Sequence, residues 1–165
     1  GDPDLRVSAL RALAGSGDKR GVEVMIGALR DGNAAVRETA IYGLGSLRSD
    51  KARDALIDFS RTQDAGDRRS AVLALRDYSD PRAQQRIVEL ARDPDASVRN
   101  YAMDYMPDTQ AGAAVLKSIL NDVSLDMNTR IRAAQSLRYR SYLDESTTAM
   151  IESVEADYYH DYRDY

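Results

Sequence analysis

The sequence predicts an all-α solenoid of five helix pairs, and three observations carry that prediction. A short pattern returns every 31 residues: Arg6, Arg37, Arg68, Arg99 and Arg130, each followed three positions on by Ala9, Ala40, Ala71, Ala102 or Ala133. Four residues before each arginine stands Asp2, Asn33, Asp64, Asp95 or Asp126. Between successive copies lies a second apolar stretch with its own paired step: Met25-Ile26, Leu56-Ile57, Ile87-Val88, Val115-Leu116 and Met150-Ile151. A fixed period of this length is the signature of stacked supersecondary units, each unable to bury its apolar face alone.

The first helix of each pair, A, carries the arginine and alanine columns. In the second copy its apolar positions are Val36, Ala40, Ile41 and Leu44, whose spacings fall on one helical face. The same reading places A helices over 3–14, 34–47, 66–78, 96–106 and 127–140. An all-alanine column predicts a close helix crossing, where a larger side chain would force the helices apart. The second helix, B, is expected over 19–30, 51–62, 81–92, 109–121 and 145–158. Each B helix opens near Asp18, Asp50, Asp80, Asp108 or Asp144, read as N-caps that accept from unpaired backbone N–H groups. Leu29, Phe59, Leu90, Ile119 and Val154 extend its apolar face by a turn. The B-to-A turns use Asp31-Gly32-Asn33, Asp64-Ala65-Gly66-Asp67 and Asp93-Pro94-Asp95, which are good turn and cap chemistry. Several positions depart from the pattern. Asp67 and Thr129 fill the apolar slot before the arginine, and Tyr105 fills a column otherwise small. Met106-Pro107 cuts the fourth A helix short, and the connection over 121–128 is expected to be longer than its counterparts.

The pattern Asp-x-x-Val-Arg-x-x-Ala-x-x-x-Leu, followed by a Gly/Asp loop and a Leu-Ile helix, resembles HEAT repeats of the short bacterial type, also seen in phycobilin lyase-like proteins. Asn33-Ala34-Ala35-Val36-Arg37 and Asp95-Ala96-Ser97-Val98-Arg99 are the cleanest copies. The resemblance implies a right-handed α-solenoid of five HEAT-like helix-pair repeats of about 31 residues. The expected array spans 1–157, with repeats near 1–30, 31–61, 62–92, 93–125 and 126–157, and an acidic, tyrosine-rich tail follows over 158–165. The resemblance also implies that Arg6, Arg37, Arg68, Arg99 and Arg130 form a structural ladder, each pairing with loop acids and carbonyls of adjacent repeats. B helices would line the concave surface.

The bulk composition suits one ordinary globular domain of 165 residues, with 43% hydrophobic and 30% charged residues. Charge is uneven. Residues 152–165 hold five acids and one base, which leaves 22 acids and 22 bases elsewhere. The repeat body is neutral and lacks the basic footprint of a nucleic-acid binder. There is no cysteine, which excludes disulfides and thiolate metal sites without fixing the compartment. The chain opens Gly1-Asp2-Pro3 without Met; Gly1 reads as a cloning remnant and the chain as a segment of something longer, outside which any leader or anchor would lie. A cytoplasmic site is slightly favoured, with a periplasmic or membrane-tethered parent protein as the other reading. No apolar run is long enough to span a membrane.

Residue chemistry points away from catalysis. The single histidine, His160, sits near the end, so no metal-binding His/Glu pair and no Ser/His/Asp set can be assembled. The His/Glu pairs of repeat-type deoxyhypusine hydroxylases, which bind iron, are therefore missing. No cofactor and no catalytic residue is expected. Two basic columns recur with the repeat: Arg20, Lys51 and Arg82 at the start of helix B, and Arg30, Arg61 and Arg92 at its end. Glu23, Asp54, Asp58 and Glu89 lie between them. These ten residues are the candidate binding surface of the groove. Tyr101, Tyr105, Tyr158 and Tyr159 form a candidate aromatic patch, because tyrosine is enriched at interfaces and terminal repeats must cover their core. Tyr158 and Tyr159 are expected to pack on the last repeat, and 162–165 to be mobile or to touch a partner.

The resulting expectation is a non-enzymatic scaffold that holds a protein or peptide in the concave groove of the B helices. One alternative is a bilin lyase or chaperone-like protein, implied by the family resemblance alone, although a bilin would call for an aromatic groove. The other is a HEAT-like nucleic-acid-binding protein, which the neutral body and the lack of tryptophan disfavour.

Overall fold

The computed structural model describes residues 1–161, and among them every regular element is helical. The order is α1 (Pro3–Gly15), α2 (Gly21–Ala28), α3 (Ala34–Leu47), α4 (Asp50–Phe59), α5 (Ala65–Leu75), α6 (Pro81–Leu90), α7 (Ala96–Asp104), α8 (Gln110–Asn121), α9 (Met127–Leu137) and α10 (Glu145–Asp161). Odd-numbered helices are the A type and even-numbered helices the B type. The chain is thus all-α, built of helix hairpins in the manner of an α-solenoid, and it divides into two compact units, Gly1–Ile87 and Val88–Tyr165.

Local chemistry starts every A helix in the same way. The side chains of Asp2, Asn33, Asp64, Asp95 and Asp126 each accept from a backbone N–H in the first turn. Asn33 Oδ1, for instance, takes the amides of Ala35 at 2.9 Å and Val36 at 3.3 Å. The recurring Asp/Asn column is therefore a row of N-caps, each stabilising its helix by about 1 kcal/mol.

The B helices are capped less uniformly than the sequence predicts. Asp80 and Asp144 do accept first-turn amides, from Arg82 and Thr147. In α4 and α8 the caps are Ser49 and Thr109, which accept from Ala52 and Gly112. Asp50 instead lies inside the first turn, where the helix dipole still favours its charge. Asp108 accepts from the Ser141 hydroxyl at 2.7 Å. Asp18 holds the Arg20 amide just before α2, which has no side-chain cap of its own.

In the first unit, α3 lies between α1 and α5, while α2 and α4 form the second layer. The alanine column explains how closely the A helices approach: Ala40 and Ala71 are fully buried. A Cβ placed on Gly45 of α3 would sit 3.1 Å from the Ala74 Cβ and 3.2 Å from its Cα on α5, closer than ordinary carbon contacts. Val36, Ile41, Leu44, Leu56, Val72 and Leu75 fill the interior. Ala9, the first member of the column, is exposed.

In the second unit, α9 packs on α7, α8 and α10. Ala102, Ala133 and Ala134 are fully buried, with Met103, Leu116, Leu120 and Leu137 around them. Gly112 is required by a close approach: a Cβ there would stand 2.6 Å from the Pro107 carbonyl oxygen. Tyr105 is accommodated in a small-residue column because α7 ends at Asp104, which leaves Tyr105 as its C-cap at the surface.

The connection after the fourth B helix is not longer than its counterparts. Residues 29–33, 60–64, 91–95 and 122–126 are equal in length, because α8 runs on to Asn121. The long connection is instead 138–144, inside the fifth hairpin. Helix α10 continues through Asp161, so the expected tail begins as helix; residues 162–165 lie outside the described part of the chain.

Candidate functional site

The B-helix starts in the first unit are joined by ion pairs between neighbouring repeats. Lys51 of α4 pairs with Glu23 of α2. Arg82 of α6 pairs with Asp54 of α4 at 3.3 Å and with Asp80 at 3.5 Å. Except for half-buried Asp54 and Asp80, the members of this row are exposed. Arg20 folds back onto Asp18, its Nε 2.7 Å from the carboxylate, which holds the Asp18 carboxyl below the usual range.

The row at the B-helix ends is held more loosely. Arg61 donates to the Ile57 carbonyl at 3.1 Å and to Asp58 at 3.3 Å, both on its own helix. A guanidinium there complements the negative end of the helix dipole. Arg30 is exposed and makes no ion pair among the described residues. In the second unit Arg92 donates to the Ser118 hydroxyl of α8. Glu89 is exposed on α6.

Beneath the first row lies a residue that the sequence reading did not single out. Arg53 is 5% exposed, and its guanidinium meets Asp50 at 2.8 Å, Asp54 at 2.9 Å and Asp80 at 3.0 Å. Burial works against its charge, and the carboxylates outweigh that effect to raise its pKa. The signal was present in Asp50-x-x-Arg53-Asp54, which brings one cation between two acids on consecutive turns. Arg86 likewise reaches back to the Ser60 hydroxyl at 2.6 Å and the Ser60 carbonyl at 2.9 Å.

The arginine column lies at the B-to-A turns. Arg6 donates to Asp31 from Nε at 2.8 Å and from a terminal nitrogen at 3.0 Å, and also to the Gly1 carbonyl. Arg37 places Nε 2.7 Å from Asp67 and a terminal nitrogen 3.0 Å from the Asp31 carbonyl. Arg68 meets the carbonyls of Thr62 at 3.0 Å and Gln63 at 2.7 Å. Arg99 meets those of Asp93 and Pro94, both at 2.9 Å. Arg130 meets that of Leu120 at 3.0 Å. Terminal B-helix and turn carbonyls lack intrahelical donors, and the guanidinium supplies them. Asp67, out of place in an apolar slot, is buried because it is the acceptor for Arg37; that contact raises the Arg37 pKa. Thr129, the other departure, is buried with its hydroxyl 2.7 Å from the capping Asp126.

The tyrosines form two separate pairs. Tyr101 and Tyr105 have ring centroids 6.1 Å apart, with Tyr101 half-buried. Tyr158 and Tyr159 meet edge to face at 5.4 Å. Tyr158 is half-buried, but Tyr159 is 57% exposed and does not pack on the last repeat. Successive helical residues point about 100° apart, so one helix face cannot bury both. A surface absent from the sequence reading lies on the A helices α1 and α3. It is a depression of about 620 Å³ lined by Arg11, Ala14, Glu38, Thr39, Tyr42 and Ser46, with Tyr42 74% exposed. Among the described residues no group of three His, Cys, Asp or Glu could hold a metal ion, and no helix is long and apolar enough to cross a membrane.

Comparison with known proteins agrees with this geometry. Residues 1–76 match the family described as HEAT repeats, and residues 67–93 match the PBS lyase HEAT-like repeat. No curated protein matches the chain. Among solved structures, the crystal structure of an engineered protein is similar at a TM-score of 0.52 and 20% identity, covering 94% of this chain and 81% of that one. At that identity the likeness shows the fold alone. With two HEAT-type matches over its first half and the same capped hairpin continuing to α10, the chain belongs to the HEAT-repeat proteins.

Proposed function

We propose that this repeat scaffold binds a protein or peptide on the surface of its B helices, without catalysis. The observation that carries the reading is the pair of charged rows on α2, α4 and the start of α6. One row is already joined by Glu23–Lys51 and Asp54–Arg82 pairs, and the other presents Arg30 and Arg61 to solvent with only local partners. Exposed ion pairs of this kind add little stability, so these rows are better explained by recognition than by folding. Arg20, Arg92, Asp58 and Glu89 extend the same columns along the repeats. A charged surface suits a polar peptide better than a tetrapyrrole. The PBS lyase HEAT-like match covers one repeat and supports the repeat, not a lyase reaction.

The test is charge reversal, Arg30→Glu with Arg61→Glu. Cross-linking mass spectrometry in a cell extract compares the partners captured by the variant and by the parent chain. The variant is expected to lose its partners while keeping its melting temperature within about 2 °C, as surface substitutions do. Equal capture by both proteins sinks the reading, and a large fall in melting temperature makes the arginines structural.

A further inference from the structure

The ladder arginine of the fourth repeat is bound differently from those of the first two. Arg6 and Arg37 each give their Nε to an aspartate of the next repeat, Asp31 and Asp67. Those acids stand 25 and 30 residues after their arginines. The same offsets from Arg99 fall on Ser124 and Thr129, so neither acid is supplied. Arg99 uses one terminal nitrogen on the carbonyls of Asp93 and Pro94, while its Nε is buried with no hydrogen-bond partner among the described residues. The Arg130 Nε, by contrast, is satisfied by the Leu120 carbonyl.

Arg99 lines a cavity of about 300 Å³ together with Arg92, Asp93, Ser118, Asp122 and Leu125. The carboxylates nearby make their hydrogen bonds elsewhere, although Asp126, whose pKa is lowered by its Thr129 hydrogen bonds, lies close enough for the Arg99 charge to help lower it. Asp122 accepts from the Ser124 amide at 3.0 Å and hydroxyl at 2.5 Å. Asp93 accepts from the Asp95 amide at 2.9 Å, and Asp126 caps α9 through the Thr129 amide at 2.9 Å. A buried donor without an acceptor is costly, and the Nε–H edge of a guanidinium matches a carboxylate in shape and charge. The cavity lining holds two guanidinium groups and two carboxylates, so its charges balance and a dianionic phosphate gains no net attraction over a single carboxylate.

We infer that Arg99, with Arg92 and Ser118 beside it, is a carboxylate-binding site. It takes an acidic side chain or a free carboxyl terminus from a peptide partner, in place of the aspartate that the first two repeats supply themselves. The site lies at the turns 91–95 and 122–126; it shares Arg92 with the B-helix columns but rests on the Arg99 Nε and not on those rows.

The test follows the Arg99 Nε–H resonance by NMR, assigned with Arg99→Lys. Four probes are titrated: acetate, inorganic phosphate, amide-capped hexaglutamate, and a neutral peptide with a free carboxyl terminus. Acetate and at least one peptide are expected to shift that resonance saturably, and which peptide does so assigns the source of the carboxylate. Ser124→Asp, at an exposed position, and Thr129→Asp each rebuild an internal acceptor; at least one is expected to weaken the response about tenfold, the size of one charge-assisted hydrogen bond. No shift with acetate overturns the inference. So does phosphate binding as tightly as acetate, or a response that survives in both aspartate variants. The Arg30→Glu, Arg61→Glu protein is expected to keep the full acetate response, which separates failure here from failure of the B-helix reading.

Discussion

Gly45→Val tests the spacing between A helices on which the surface rows depend. The Cβ of any residue at 45 would stand 3.1 Å from the Ala74 Cβ and 3.2 Å from its Cα, where carbon atoms prefer about 3.5–4.0 Å. The obstacle is the body of α5, so no rotamer change relieves it, and Ala74 is itself buried. Valine adds two further methyl groups to that contact. Overpacking of this kind costs about 1–3 kcal/mol, and the better helix propensity of valine over glycine returns only about 0.4 kcal/mol. At roughly 2–4 °C per kcal/mol for a chain of this size, the melting temperature is expected to fall by about 1–10 °C. Gly27→Val on α2 is the control, since nothing lies within 4 Å of a Cβ at that position. The same chemical change there is expected to leave stability unchanged or slightly raised. Thermal unfolding followed by circular dichroism at 222 nm measures both. If the two variants melt alike, α3 and α5 are not held at the separation described.

Three further outcomes follow from the buried polar groups. Arg37→Met strands the Asp67 carboxylate, 6% exposed, and is expected to cost about 3 kcal/mol in urea unfolding; adding Asp67→Val, the residue type at positions 36 and 98, is expected to recover most of that loss, and a double variant no better than the single one contradicts the pairing. Burial pushes the Tyr78 phenol up to about 12, with its hydroxyl donating to the Leu44 carbonyl at 2.8 Å, so stability is full below pH 10 and lost as pH rises towards 12; Tyr78→Phe is expected to flatten that alkaline limb of a melting curve series. The carboxyls of Asp31, Asp122, Asp126 and Asp144 are held below the ordinary range, by Arg6, by Ser124, by Thr129 and by Lys117 in turn, so their stabilisation is present above about pH 4 and is lost as pH falls through their lowered values; acid titration of the melting temperature checks this, and a flat profile between pH 5 and 2 excludes it.

The hairpin count, the A-helix starts and the alanine column were legible in the sequence because each rests on short-range or strictly repeated physics. An N-cap acts on amides two or three residues away, so Asp2, Asn33, Asp64, Asp95 and Asp126 announce their helices whatever the neighbours do. The helical face of Val36, Ala40, Ile41 and Leu44 follows from the helical period alone. The B-helix starts were less legible, since Ser49 and Thr109 compete with adjacent aspartates for one role and only the chain path chooses between them. What lies opposite a side chain from the next repeat was decided by tertiary structure. Nothing in the spacing tells that Asp67 leaves the solvent to meet Arg37, that Arg53 is buried among three carboxylates, or that Lys51 meets Glu23 across α2 and α4. Nor does it tell that Arg99 is left with a buried Nε–H where Arg6 and Arg37 find an acid. Those partners stand some 25–30 residues away in sequence, and their contact depends on how far one helix pair slides and turns on the last, a displacement set by the summed packing of alanines and glycines such as Ala71 and Gly45 rather than by any single residue.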